Sequence, residues 1–197
     1  MRNCLHRDVV VVAKGLEQGV VYENEGIKIT AFVVDHGPVE PALGYRIDFA
    51  GRSIVLSGDS RYSENLIHFS DRADVLIHEV IDPGGFRVEN SSTSSERTRS
   101  VVAHHTTPEQ AGTIFTRVKP RLAVYSHIVP GGTTDLIGLT RKTYSGPLEV
   151  GEDLMRRWRK SGSTPWPPLG SPPFCFSEFC PKSCFIFLVI QRPSHPI

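Results

Sequence analysis

Six short runs rich in β-branched residues, at 9–13, 27–34, 45–49, 53–57, 75–80 and 122–126, are bounded by Gly, Asp, Asn or Pro. That spacing commits the body of the chain to a sheet. Ile27-Lys28-Ile29-Thr30-Ala31-Phe32 alternates as a half-buried strand does. The runs 45–49 and 53–57 flank Ala50-Gly51-Arg52 and predict a hairpin turning at Gly51. Two helices interrupt the strands. One starts near Ser63 and carries Leu66, Ile67 and Phe69 before Asp71. The other has a full start signal: Thr107 as N-cap, Pro108 at the first helical position, and Gln110 to close a capping box. Behind that cap, Ala111, Ile114, Phe115 and Val118 fall at i, i+3, i+4, i+7 and give one apolar face. Strands followed by strand–helix–strand–helix–strand predict an α/β architecture, a mixed sheet flanked by helices. The segment 91–100 is low in apolar residues and is expected to be a mobile surface loop.

Composition divides the chain. From Trp158 to Ile197 it holds 8 of 15 prolines, 3 of 4 cysteines, both tryptophans, half the phenylalanines and a single acid, Glu178. Prolines at 165, 167, 168, 172 and 173 remove backbone donors and fix φ, which disfavours helix and central strand alike. Cys175, Cys180 and Cys184 form no CxxC pair, and only His195 is at hand as a fourth zinc ligand. The expectation is a partial domain over 8–155 and an irregular, disordered or aberrant Pro/Cys/Phe-rich tail over 156–197, of the kind a frameshift or read-through produces. A net charge of +1 removes the electrostatic case for a dedicated nucleic-acid or membrane-surface binder. No apolar run approaches the ~20 residues of a membrane helix, and the first residues have no signal-peptide core. A cytoplasmic protein with no membrane partner is expected.

Ionisable residues gather where apolar runs stop. These are His36, Asp59, the pair His78-Glu79, His104-His105, and His127. Loops after buried strands hold side chains on a rigid base while admitting a ligand. Carboxylate and neutral imidazole are both ligands for Zn²⁺ or Mn²⁺. Singly, each has a plainer reading: Asp59 in Ser57-Gly58-Asp59-Ser60 as a turn or cap residue, each histidine as a hydrogen-bonded structural group, His78-Glu79 as a buried pair.

Together and in this order they form a pattern. Asp35-His36-Gly37-Pro38 running to Gly44-Tyr45-Arg46-Ile47, then Ser57-Gly58-Asp59-Ser60-Arg61, Leu76-Ile77-His78-Glu79-Val80, His105-Thr106-Thr107-Pro108-Glu109-Gln110-Ala111 and Tyr125-Ser126-His127-Ile128, resembles the metallo-β-lactamase superfamily. Within it the likeness is to the ribonuclease Z and arylsulfatase-like branch, over about residues 8–155. The resemblance implies the second half of an αββα sandwich. It implies Asp59 and His127 as metal ligands in a dinuclear Zn²⁺ or Mn²⁺ site. It further implies His105 as the proton-transfer residue, with Glu79 supporting it.

Departures from the family pattern set further expectations. The eight histidines contain no HxH, so the HxHxDH signature is missing, and a further ligand histidine is expected to lie with it upstream. The chain reads as truncated. Two protein ligands for two metals predict weak binding, since catalytic zinc ordinarily takes three per ion. Alone, the chain is expected to be inactive. The implied substrates are a small ester, a sulfate or a phosphodiester, or a tRNA 3′ end, with a homodimer as the implied assembly. No basic Gly-rich tRNA-gripping arm is present, and Arg46, Arg52 and Arg61 read as surface arginines. A non-catalytic remnant, or a small binding domain without metal chemistry, is the alternative.

Overall fold

A computed structural model describes residues 18–82, 95–129, 135–153 and 155. The expected strand at 9–13 and the tail at 156–197 lie outside the described residues. Seven strands form one sheet in chain order: β1 Gly19–Asn24, β2 Ile27–Val34, β3 Ala42–Phe49, β4 Arg52–Leu56, β5 Val75–Ile81, β6 Leu122–Val129 and β7 Leu148–Val150. β1 to β4 form an antiparallel meander. β4 to β7 are parallel. Between the parallel strands run α1 Glu64–Phe69, α2 Ser95–His104, α3 Pro108–Val118 and α4 Leu136–Thr140. The mixed sheet with helices is the α/β class expected.

Local chemistry accounts for the turns. β3 and β4 are joined by Ala50 and Gly51, both at positive φ (49° and 71°), the conformation a two-residue hairpin loop adopts to match strand twist. Glu25 and Gly26, at 48° and 78°, repeat the device between β1 and β2. The capping box of α3 is complete: the Gln110 amide donates to Thr107 Oγ1 at 3.3 Å, and the Thr107 amide donates to Gln110 Oε1 at 3.0 Å. α3 buries Ala111, Ile114, Phe115 and Val118, the apolar face read from the spacing. Ser63 caps α1 through the Leu66 amide.

One core unites the sheet and helices. Phe32, Val34, Val55, Leu76, Val80, Ala123 and Tyr125 meet Leu66, Ile114 and Phe115. Alternation puts Phe32, Val55, Leu76 and Tyr125 on this helix-covered face, since each side chain of a strand points opposite to its neighbour. The Phe32 ring stacks on Phe69 with centroids 4.6 Å apart.

The structure departs from the sequence reading in places. Residues 95–104 are helical, where a loop was expected through 100. Glu and Arg are good helix formers even without an apolar stripe, and Val101 and Val102 at the C-terminal end are half-buried. β1, β7 and α4 were not foreseen. They span 6, 3 and 5 residues, too short for periodicity to register.

Candidate active site

Parallel pairing of β4, β5 and β6 puts their carboxyl ends on one edge of the sheet. Two antiparallel steps, β2 to β3 and β3 to β4, bring the end of β2 to that edge as well. His36 follows β2, Asp59 follows β4, Glu79 lies near the end of β5, and His127 near the end of β6. The N-terminus of α3, which returns toward the start of β6, brings His105 there too. This is the edge on which open α/β sheets hold ligands.

Backbone detail aims each side chain. Gly58 sits at φ +63°, and a Cβ there would stand 2.3 Å from the Leu43 carbonyl oxygen, so only glycine lets the chain turn into Asp59. His127 is the extra residue of a bulge: pairing moves from Glu79–Ser126 to Val80–Ile128. His127 itself lies at φ 46°, in the left-handed region. Bulges of this kind re-aim a side chain beside a functional site, and a strained non-glycine residue is held only where its surroundings demand it. His127 Nε2 stands 3.4 Å from Asp59 Oδ1.

Glu79 is nearly fully buried, and both of its carboxylate oxygens are engaged. Oε2 accepts from His105 Nδ1 at 3.0 Å, and Oε1 accepts from the Thr106 amide at 2.7 Å. Thr106 Oγ1 donates to the Ser60 carbonyl at 2.7 Å, tying the His105 turn to the Asp59 loop. The Arg61 amide donates to the Asp35 carbonyl at 2.8 Å, tying that loop to the His36 turn. His36 Nδ1 lies 2.8 Å from the His104 carbonyl. A carbonyl only accepts, so Nδ1 carries the proton and Nε2 of the neutral ring is the acceptor. The His105 ring centroid is 5.1 Å from that of His36 and 6.0 Å from that of His127. A groove of about 410 Å³ opens beside His36, lined in part by Val33, Asp35, Glu40, Arg61 and Asn65.

The structure thus brings Asp59, Glu79, His105 and His127 to one place, with His36 beside them. His78 is turned away: it is fully buried on the helix side, with its ring 5.9 Å from Phe115. The sequence named His36 among the strand-end groups but assigned it no role. The three arginines are occupied: Arg46 with Asp48 and the carbonyls of Phe69 and Asp71, Arg52 with Asp74, Arg61 with Asp35.

Charge follows geometry. The Glu79 hydrogen bond raises the His105 pKa above the ordinary imidazole value, against the opposing effect of burial, with smaller help from the charges of Glu79 and Asp59. Burial lowers that of His78. The two shifts act on opposite sides of the unfolded value near 6.5. Above 6.5 the folded state holds the His105 proton more tightly than the unfolded chain, so its stabilising contribution is lost as pH rises through the folded value. Below 6.5 the unfolded chain protonates His78 and the folded state does not, so stability falls on acidification. Urea midpoints measured in chelator from pH 5 to 8.5 are expected to drop on both sides. His105→Asn should flatten the alkaline limb and leave the acid limb. An unchanged alkaline slope in that variant would show that Glu79 and His105 are not coupled.

Comparisons with known proteins give the family. The family model of the β-lactamase superfamily domain matches residues 5–128, more than half of the chain. Ribonuclease Z of Mycobacterium avium (strain 104) is 31% identical over 143 residues, covering 70% of this chain and 49% of the relative. Ribonuclease Z of Mycolicibacterium gilvum (strain PYR-GCK) is 30% identical over 150 residues, covering 74% and 51%. The chain therefore spans about half the length of the curated relatives it matches. Among solved structures, the metallo-β-lactamase fold protein YhfI of Bacillus subtilis superposes with a TM-score of 0.52 at 22% identity, over 66% of this chain and 49% of that one. The family match, the mixed sheet and the strand-end cluster lead to one assignment: this chain belongs to the metallo-β-lactamase superfamily and is ribonuclease Z-like in sequence.

Proposed function

We propose that this chain carries part of the active site of a metal-dependent hydrolase that cleaves phosphodiesters, with an endonucleolytic cut at a tRNA 3′ end as the natural form of the reaction. The observation that carries the reading is the Asp59–His127 pair. Two ligands bound at about 2.1 Å to one tetrahedral ion stand about 3.4 Å apart. Asp59 Oδ1 and His127 Nε2 are 3.4 Å apart. The donor set also has the right chemistry, a carboxylate and an imidazole for Zn²⁺ or Mn²⁺. It is incomplete: among the described residues, no group of three or more His, Cys, Asp or Glu is placed to hold an ion. His36 stands beside the pair on the far side of His105, with Nε2 unused by its backbone contact.

A bound ion would acidify a water molecule and neutralise charge on the phosphoryl oxygen. The protein supplies the rest. Glu79 fixes the His105 ring through Nδ1, which leaves Nε2 to pass a proton to the departing oxygen. The Glu79 hydrogen bond, by raising the His105 pKa, favours the protonated ring. Similarity to ribonuclease Z supports the phosphodiester and tRNA reading over an ester or a sulfate. The test is hydrolysis of bis-p-nitrophenyl phosphate and of a 3′-extended tRNA, with and without chelator. The 197-residue chain by itself is expected to be nearly inactive, because Asp59 and His127 do not fill two metal shells. Strong chelator-sensitive turnover by the chain alone would overturn the ligand assignment.

A further inference from the structure

We propose that His78, fully buried behind the site, is the positioning residue that sets the orientation of Glu79. The inference rests on the functional reading of Glu79 and His105 and extends it to a residue that reading leaves unused.

Glu79 stands at the point where the β5–β6 ladder slips register. On its other side, where the Glu79 amide faces Ser57, the β4–β5 pairing ends at Leu56–Ile77, short of Glu79, so the chain there needs another restraint. His78 Nδ1 provides one: it lies 2.6 Å from the Glu79 carbonyl oxygen. The carbonyl accepts, so Nδ1 is the protonated nitrogen, and in the neutral ring Nε2 is left as a bare acceptor. Nε2 is buried and, among the described residues, has no hydrogen-bond partner. A buried polar atom without a partner is costly, and an apolar side chain would fill the space beside Phe115 at lower cost. The feature a leucine could not reproduce is the Nδ1–H donor to Glu79.

The peptides on both sides of the Glu79 Cα are then each held. Its amide donates to Ser57 Oγ at 3.1 Å, and its carbonyl accepts from His78. The side chain that leaves this Cα has two partners to meet at once, His105 Nδ1 and the Thr106 amide. Releasing the carbonyl lets the peptide rotate, and the carboxylate can no longer satisfy both. Ser57 sits immediately before Gly58 and Asp59, so the Glu79 amide also links the proton-transfer pair to the metal-facing loop.

The test separates positioning from packing by using two variants with opposite defects. His78→Leu fills the core but removes the donor. His78→Asn loses ring volume but puts Nδ2 where Nδ1 was. Amide exchange at Thr106 is read by NMR on the full metal-free chain, relative to Ala123 in the β6 ladder, together with urea stability. His78→Leu should speed Thr106 exchange by about tenfold or more relative to Ala123, since a lost hydrogen bond opens that amide locally. His78→Asn should stay within about threefold of wild type at Thr106 even where its global stability is lower. Equal Thr106 exchange in wild type and His78→Leu would overturn the proposal. So would a folded His78→Asn chain that loses Thr106 protection, which remains decisive if His78→Leu does not fold. Neither readout involves metal or turnover, so a failed hydrolysis assay and a failed positioning role are told apart.

Discussion

Supplying the chain with a first half that carries HxHxDH, fused in cis or as a separate polypeptide, is expected to raise bis-p-nitrophenyl phosphate hydrolysis by about 10³-fold or more. Under the proposed function, the added residues would supply further metal ligands and a carboxylate to handle the water proton. Within that completed protein, Asp59→Ala should return turnover to background, because its carboxylate faces His127 across the gap an ion would occupy. His105→Ala should behave differently. Turnover should drop by about 10²–10⁴, the range of a lost proton-transfer group, while metal content measured by atomic absorption stays near wild type. Loss of metal in His105→Ala would make that histidine a ligand and undo the division of roles.

The second large effect is on stability. Phe115 is fully buried and touches three rings, with centroids 5.9 Å from His78, 5.7 Å from Tyr125 and 5.4 Å from Tyr144. Phe115→Ala is expected to cost about 3–5 kcal/mol in urea unfolding, as large core truncations do. Phe49, 39% exposed at the end of β3, should cost under about 1 kcal/mol when changed to Ala. A smaller loss at Phe115 than at Phe49 would mean that the helix-covered face is not the stabilising core.

Much of this architecture is local in origin and therefore legible. The α3 start follows from three residues, Thr107, Pro108 and Gln110, whose preferences agree with one another. The hairpin at Gly51 and the N-cap at Ser63 are of the same kind. What escaped was non-local. β6 was expected to stop at Ser126, yet pairing continues to Val129 because the extra residue at His127 is absorbed as a bulge against β5. No pattern within β6 announces that, since the bulge is defined by its partner strand. Asp59 and His127 were assigned together through family likeness, whereas their 3.4 Å separation depends on the bulge and on the Gly58 turn. His36 was visible as a strand-end histidine. Its place beside His105 needed the strand order, because two antiparallel steps are required to return β2 to the edge that β4 ends on. The helical stretch 95–104 was missed for another reason: helix formers without an apolar face give composition but no period.

The central claim is that metal is held by the group centred on Asp59 and His127, and paramagnetic broadening tests it even where binding is weak. Substoichiometric Mn²⁺ added to the ¹⁵N-labelled chain should broaden amides at His36, Asp59, His105 and His127 first. Signals from the far strand ends, such as Lys28 and Arg52, should stay sharp. Asp59→Ala should abolish the selective pattern. Broadening that spreads evenly over surface carboxylates, or that persists unchanged around His127 in Asp59→Ala, would contradict the account.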